Sequence, residues 1–235
     1  MFKRQRILLA CASLAFSSTY ANAGTIYGFS RIGANASQSL IDQLDISVEL
    51  DNAGLSSNQV RFTFKNSGLA SSITSIYFNG GPLLGISSIT GAGEQVNFGM
   101  PKKAESAKFS GAPDWKSVVG NSAVVDAISP AGFEKNGIDT GESLSIVFDL
   151  MNQKTLADTV AAMELSLLSP GQDVTNGLRI GFHLQSINGS GGVSDKFING
   201  PQYGTSGQVP EPASALIWGF LSFAGIFSRK RSGRR

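Results

Sequence analysis

The stretch 144–150, Leu-Ser-Ile-Val-Phe-Asp-Leu, decides the fold class of this 235-residue chain. Its large apolar side chains occupy every second position, and Ser145, Val147 and Asp149 lie between them. Because successive side chains of a strand point to opposite faces, this alternation predicts a β-strand with one apolar and one mostly polar face. The preceding residues, Asp139-Thr140-Gly141-Glu142, have the composition of a tight turn.

Alternation with a period of two recurs elsewhere and extends the prediction to the whole chain between residues 24 and 208. Clear runs lie at 44–50, 60–64, 96–98 and 178–184. Weaker strand predictions fall on 25–31, 73–78, 84–90, 123–128 and 196–199. Glycine- and asparagine-rich segments such as 79–82 separate the runs and tolerate positive φ. This pattern predicts an all-β fold, an antiparallel β-sandwich of the jelly-roll or immunoglobulin-like type.

Two segments depart from the strand pattern. Residues 155–168 place apolar side chains near helical spacing, and Thr155 with Asp158 forms a plausible capping pair, which predicts one short helix. Residues 99–122 show no clear period and contain Pro101 and Pro113, which predicts a long loop.

Residues 1–23 have the three parts of a secretory signal peptide. Basic residues precede the apolar run 7–16, and Ala21-Asn22-Ala23 matches the cleavage pattern recognised by signal peptidase. Residues 8–11, Leu-Leu-Ala-Cys, also resemble a lipoprotein box, but Cys11 lies inside the apolar run. The interpretation is therefore cleavage after Ala23, with Gly24 as the first mature residue.

The last 27 residues contain three elements in a fixed order. Val209, Pro210, Glu211 and Pro212 form an extended strip, because proline fixes φ and removes the N–H donor. The uncharged apolar run 213–227 predicts a transmembrane helix over 213–228. Its 15 residues span roughly 23 Å as a helix, short of the hydrocarbon thickness of about 30 Å. A basic tail that keeps its end of the helix in the cytoplasm follows, at Arg229, Lys230, Arg231, Arg234 and Arg235.

The order of motif, short membrane helix and basic end over 209–235 resembles the PEP-CTERM sorting signal of Gram-negative bacteria. This resemblance implies export, temporary anchoring in the inner membrane and processing by the membrane enzyme exosortase. It also implies a place in the cell envelope or extracellular matrix, associated with exopolysaccharide or biofilm. The body, 24–208, loosely resembles the extracellular β-sandwich regions that precede such tails, notably over 178–197, and this likeness carries no known activity.

Removal of both ends changes the charge and the chemistry of the chain. The full sequence has a formal charge of +2, whereas residues 24–208 keep 11 Lys and Arg against 16 Asp and Glu, a formal charge of −5. The body therefore lacks the basic footprint that a nucleic-acid partner requires. Cys11 is the only cysteine, so the mature body has no disulfide, thiolate metal site or cysteine nucleophile.

The body offers few candidates for catalysis or ligand binding, and we assign no catalytic residue, cofactor or metal. His183 is the only histidine, and a hydrogen-bonded or solvated strand residue is the favoured interpretation. Trp115 and Tyr77 are candidates for stacking on sugar rings if they are exposed. Calcium needs only oxygen ligands and stays open, although turn formation is the favoured role of the candidates. Those candidates are Asp139, Glu142, Asp173, Asn176 and Asp195.

Three functions of different classes remain. The favoured one is a non-enzymatic envelope or matrix protein sorted by its tail. The second is a carbohydrate-binding module of the same matrix, which an exposed pair of coplanar aromatic side chains would favour. The third is a secreted glycoside hydrolase, which two carboxylates about 5–9.5 Å apart in a cleft would favour.

Overall fold

The computed structural model describes residues 24–100, 123–128, 136–168, 174–189 and 193–200. The predicted signal peptide, most of the predicted loop 99–122 and the sorting segment 209–235 lie outside these residues. Within them no helix is both long and apolar enough to cross a membrane. The strands are β1 Thr25–Arg31, β2 Ile46–Asp51, β3 Gln59–Asn66, β4 Ser72–Gly80, β5 Leu83–Ala92, β6 Phe98–Gly99, β7 Ala123–Ala127, β8 Ile138–Asp139, β9 Ser143–Leu150, β10 Leu178–Gln185 and β11 Asp195–Gly200. The helices are α1 Gln38–Ile41 and α2 Leu156–Leu167, and a 3₁₀ turn covers Ile187–Gly189.

The strands form one antiparallel sheet in the order β5-β9-β3-β2-β1-β11-β10-β4-β7-β6, with β8 paired to β4. Strand β1 joins the two halves of this sheet. Its residues 25–27 pair with β2, and its residues 28–31 pair with β11 on the other side. A strand that changes partner midway lets the sheet turn a corner without losing backbone hydrogen bonds, so the two halves remain continuous.

The two halves face each other across an aromatic core. The ring centroids of Phe62 on β3 and Phe78 on β4 lie 5.3 Å apart, although four strands separate β3 from β4 in the sheet order. Phe148 on β9 packs against Phe78 at 4.7 Å in an edge-to-face arrangement. All three side chains are buried. Each such pair contributes about 0.5–1.5 kcal/mol beyond burial of its area, so this cluster holds the halves together.

Helix α2 closes one end of the core. Thr155 and Asp158 form the predicted capping box, since each side chain accepts a hydrogen bond from the other residue's backbone N–H. Met163 on the inner face of the helix is fully buried in the core. The hydroxyl of Ser166 accepts a hydrogen bond of 2.7 Å from the Asn199 amide on β11. The polar bond fixes the helix against the sheet, and the apolar face seals the core beneath it.

The structure confirms the all-β antiparallel class, the single helix of more than one turn and most strand positions. Four details were wrong or missed. The strand predicted from residue 44 begins at Ile46. The predicted strand 96–98 is reduced to the two-residue strand Phe98–Gly99, which includes the first residue of the predicted loop. The single-turn helix α1 and the short β8 were not predicted.

The outer face of β10 also differs from the prediction of a water-facing surface. Arg179 lies on that face, yet it is only 2% exposed, and Nη2 donates a hydrogen bond of 3.0 Å to Asn79 on β4. Alternation gave the correct division of side chains between the faces of the strand. It did not give the environment of the outer face, because that depends on other parts of the protein.

Candidate functional site

A polar cleft opens at the end of the sheet away from α2. Four segments that are distant in sequence line it: residues 70–72 before and at the start of β4, residues 94–95 after β5, the β8–β9 turn, and residues 186 and 189 after β10. Strands β3, β5 and β10 end here, and β4 and β9 begin here, so the topology brings their connecting loops together. The cavity has a volume of about 700 Å³, which is within the range of small-molecule sites.

The Glu142 carboxylate connects two of these loops. Its Oε1 accepts a hydrogen bond of 2.9 Å from the backbone N–H of Glu94, and its Oε2 accepts one of 2.9 Å from the backbone N–H of Asp139. Gly93 permits this approach, because a Cβ at that position would contact the Glu142 carboxylate. We call this arrangement the Glu142 latch. Charge-assisted bonds to two backbone donors fix both loops at the rim of the cleft.

The cleft is lined by carboxylates and hydroxyls. Glu94 and Asp139 are exposed at the rim, whereas Ser71 and Ser72 are buried at its base. Asn66 donates from its amide to the Ser71 carbonyl and to the Ile138 carbonyl, which holds the base of the cleft to β8. No lysine, arginine or aromatic side chain belongs to the described lining. This surface suits a ligand that donates hydrogen bonds and is unsuited to an anion.

The structure separates the five residues that the sequence offered as calcium candidates. Asp139 and Glu142 line the cleft, but Glu142 uses its carboxylate in the latch. Asn176 adopts a left-handed φ of 64° in the exposed turn before β10. Asp173 lies outside the described residues. Within the part of the chain that the structure covers, no group of three or more His, Cys, Asp or Glu side chains is arranged to hold a metal ion.

Asp195 has a structural role at the start of β11. Its carboxylate is buried and accepts hydrogen bonds from the backbone N–H groups of Asn35 and Ala36, at 3.2 and 3.1 Å. Arg31 approaches the same oxygen at 3.9 Å. Gly33 is required beside it, because a Cβ there would overlap Asp195 Oδ1. The carboxylate therefore caps the loop after β1, a distant segment, whereas the sequence had predicted a role in a local turn.

His183 lies in a polar row on the outer face of the second half of the sheet. The register places His183 opposite Ser75 on β4, and Ser75 opposite Asp126 on β7. On its other side His183 faces Lys196 of β11. Burial lowers the pKa of His183, and the charge of Lys196 lowers it further, while Asp195 opposes the shift. The shift favours the neutral form of the imidazole.

The row contains the three residue types of a serine hydrolase, but their order is wrong for one. In a catalytic triad the acid orients the histidine from the side opposite to the serine. Here Asp126 lies beyond Ser75 and is hydrogen-bonded to it, and burial raises the pKa of Asp126. The amide of Gln185 lies 3.3 Å from His183 Nδ1, in the place of the orienting acid. The arrangement gives no activated nucleophile.

The aromatic candidates, Tyr77 and Trp115, provide no exposed ring for stacking on a sugar within the described residues. Tyr77 is half-buried on β4, and burial raises the pKa of its hydroxyl, with a further increase from the charge of Asp126. Trp115 lies outside the described residues. No aromatic side chain is exposed in the ranges that the structure covers.

The predicted sorting and cleavage residues all fall outside the described part of the chain, except Gly24 at its start. These are Ala21, Ala23, Val209, Pro210, Glu211, Pro212, Arg229, Lys230, Arg231, Arg234 and Arg235. The cleft residues Ser71, Ser72, Glu94 and Ser186 were not predicted. The sequence distinguishes Glu94 in one respect, since it is the first charged residue after Lys65.

Comparison with protein-family models, with curated proteins and with solved structures finds no match to the chain. Its function must therefore be inferred from its own residues and geometry.

Proposed function

We propose that this chain is a non-enzymatic, exported protein of the bacterial cell envelope or extracellular matrix, sorted by its C-terminal segment. The observation that carries the proposal is the order of Val209-Pro210-Glu211-Pro212, an uncharged apolar run and five basic residues. The basic residues stop translocation, so the body is left outside the inner membrane. The prolines keep the strip before the helix extended, in the form that a processing enzyme's groove accepts.

Glu211 has a specific role in this proposal. It is the one acidic residue after Asp195, and it lies directly before the apolar run. A carboxylate resists burial in hydrocarbon, so Glu211 fixes where the membrane segment begins and remains available for recognition by exosortase. Signal peptidase would cut first, after Ala23, and exosortase second, near 209–212.

The position of Gly200, the last described residue, relative to the cleft supports a presentation role for the body. Gly181 pairs with Ile198, so Gly200 lies level with residue 179 at the start of β10. The cleft begins at Ser186, seven residues further along the same strand direction, roughly 23 Å away at the rise of a β-strand. The chain leaves the described body at the end opposite the cleft, which favours display of the cleft away from the attachment point.

We further propose that the curled sheet is a β-sandwich of the jelly-roll or immunoglobulin-like type. Its two layers would be the halves that meet at β1, with the buried phenylalanine cluster between them. The non-enzymatic assignment is supported by the wrong order of the Ser75, His183 and Asp126 row. It is also supported by the use of Glu142 as a latch for backbone groups.

A carbohydrate-binding role in the matrix is the second candidate, and the lining of the cleft favours it. Carboxylate and amide side chains such as Glu94 and Gln95, next to hydroxyls, match the hydrogen-bonding groups of a polysaccharide. Binding would occur through hydrogen bonds at the cleft rather than by stacking on an aromatic platform. A glycoside hydrolase is the weaker alternative, because one of the three carboxylates in the cleft is committed to the latch.

The test compares processing of the full chain in a Gram-negative strain with and without exosortase. We expect the parent to be cut only when exosortase is present, and Glu211→Ala and the Pro210→Ala, Pro212→Ala double variant to remain as membrane-held precursors. Pro201→Ala is the matched control, since it removes a proline outside the motif and should be processed like the parent. If the double variant is released as efficiently as Pro201→Ala, the sorting proposal is wrong.

A further inference from the structure

Strand β5 forms one end of the sheet, and no other described strand occupies its outer edge. It is the longest strand, with ten residues, and β9 is its only partner in the sheet order. Outside that pairing, no backbone hydrogen bond joins residues 83–92 to another described segment. No described segment therefore pairs with its outer N–H and C=O groups. Such an edge is a template for another strand.

The edge lacks the charges that usually protect such a strand. From Asn66 to Gly93 the sequence contains no Asp, Glu, Lys or Arg. Charged side chains, proline and β-bulges are the devices that prevent edge pairing in natural sheets. In β5 the register shifts that mark bulges occur only between Leu83 and Gly85 and between Ile86 and Ser88. The second part of the strand, 88–92, pairs with β9 in regular register and is unprotected.

The side chains along this regular part are small and open to solvent. Ser87, Ser88, Thr90 and Ala92 are exposed, whereas Ile89 is partly buried against the core. Small side chains let two sheet edges approach to the spacing of about 4.8 Å that backbone hydrogen bonds require. The exposed face would remain hydroxyl-rich after pairing, so no large apolar surface would be left uncovered.

We propose that β5 is a strand-addition surface and that its occupant is β5 of a second copy of this chain. Two identical strands that pair antiparallel are related by a two-fold axis, which gives a closed, self-complementary interface. The neutrality of 66–93 removes like-charge repulsion, the main obstacle to pairing between two bodies that each carry a formal charge of −5. With the axis near Thr90, residues 88–92 of one copy pair with the same residues of the other, and Glu94 of one copy lies beside the uncharged Ile86 of its partner strand. The result is one sheet that runs through two bodies, and it does not depend on how the tail is processed.

The cysteine-free body permits a direct test. In the full chain with Cys11→Ser, single cysteines are placed at the edge as Ser88→Cys, Thr90→Cys and Ala92→Cys, and Thr175→Cys in an exposed turn is the control. A disulfide needs Cα atoms about 4.4–6.8 Å apart, and facing antiparallel residues meet this condition only near the axis. A residue two positions from the axis lies roughly 13 Å along the strand from its copy.

After mild oxidation of cells, we expect a covalent dimer at one or two neighbouring edge positions, at least about fivefold above Thr175→Cys. Adding Ser88→Lys to the Thr90→Cys variant should abolish the dimer, because a lysine on an edge strand prevents edge pairing. Adding Thr175→Lys, which places a lysine away from the edge, should leave the dimer intact. Circular dichroism of each variant confirms that the chain is folded.

Two results would overturn the proposal. One is an absence of dimer above the Thr175→Cys control at every edge position, or a dimer that Ser88→Lys does not affect. The other is an adduct whose mass is not twice that of the chain, because it would show that a different protein occupies the edge. Mass spectrometry of the adduct distinguishes the two.

Discussion

The two ends of the sheet are closed in different ways. At one end α2 covers the core with Met163 and is fixed by the bond between Ser166 and Asn199. At the other end the Glu142 latch joins two of the loops at the rim of a cleft. The first end is sealed by apolar packing, and the second is kept open by hydrogen bonds to backbone donors. We infer that stability depends mainly on the helical end and that ligand contact belongs to the cleft.

The largest expected effect is at the sealed end. Met163→Ala removes a fully buried side chain from the core and leaves a cavity, so we expect a loss of about 2–5 kcal/mol in the free energy of unfolding. Urea denaturation monitored by far-UV circular dichroism measures this loss. Met163→Leu is the control and should cost less than about 1.5 kcal/mol, because it nearly conserves volume. Equal losses for both would mean that the helix does not seal the core.

An intermediate effect is expected at the latch. Glu142→Ala leaves the backbone N–H groups of Glu94 and Asp139 without their acceptor, for which we expect a loss of about 0.5–1.5 kcal/mol because water can reach both groups. Hydrogen exchange should become faster at those two amides and remain unchanged in β10. Gly93→Ala should reproduce the faster exchange, because its Cβ displaces the carboxylate while leaving the charge in place. Unchanged exchange in both variants would contradict the latch.

A smaller effect is expected at the capping box of α2, and it depends on pH. A hydrogen bond from Lys154, followed by those from Thr155, lowers the pKa of Asp158 to about 2. Because this pKa is depressed, the contribution of the Asp158 carboxylate to stability is complete above its unfolded-state pKa of about 3.9. That contribution is lost as the pH falls through about 2. The difference in stability between the parent and Asp158→Asn should therefore shrink between pH 5 and about pH 2. A difference that grows on acidification would have the wrong sign.

The smallest effect is expected for the exposed carboxylates at the cleft. Asp139→Asn and Glu94→Gln remove charge but no structural contact of the side chain, so each should change stability by less than about 0.5 kcal/mol. Thermal unfolding compares them with Glu142→Ala. A loss as large as that of the latch variant would show that this rim serves stability, and the contrast between the ends would fail.

Local periodicity was sufficient for the strands and the helix but not for the cleft. The alternation in 144–150 and 178–184 arises because one face of each strand is buried against the core, so the pattern is present in the strand's own sequence. The capping box could also be predicted from the sequence, because Thr155 and Asp158 are only three residues apart. The Glu142 latch joins residues 48 positions apart, and only the order of β5, β9 and β3 brings them together. Strand order is set by long-range pairing, which a local pattern does not contain.

The same limit explains the outcome for the predicted sites. Asp195 and Asp139 looked alike in the sequence, as acidic residues next to strands. One is buried under three backbone donors, and the other is exposed at the cleft. Their difference comes from the loop after β1, which folds onto Asp195 because Gly33 leaves room for it. The role of a turn carboxylate is thus decided by the segment that packs against it.

The central claim is that the tail sorts the chain and that the folded body is what reaches the outside. Intact-mass analysis of the protein recovered from the envelope and from the culture medium tests it most directly. The account predicts one dominant mass, that of a chain beginning at Gly24 and ending between residues 209 and 212, together with any group that the processing step adds at the new end. A dominant mass that still contains the apolar run 213–227, or that retains residues 1–23, would contradict it.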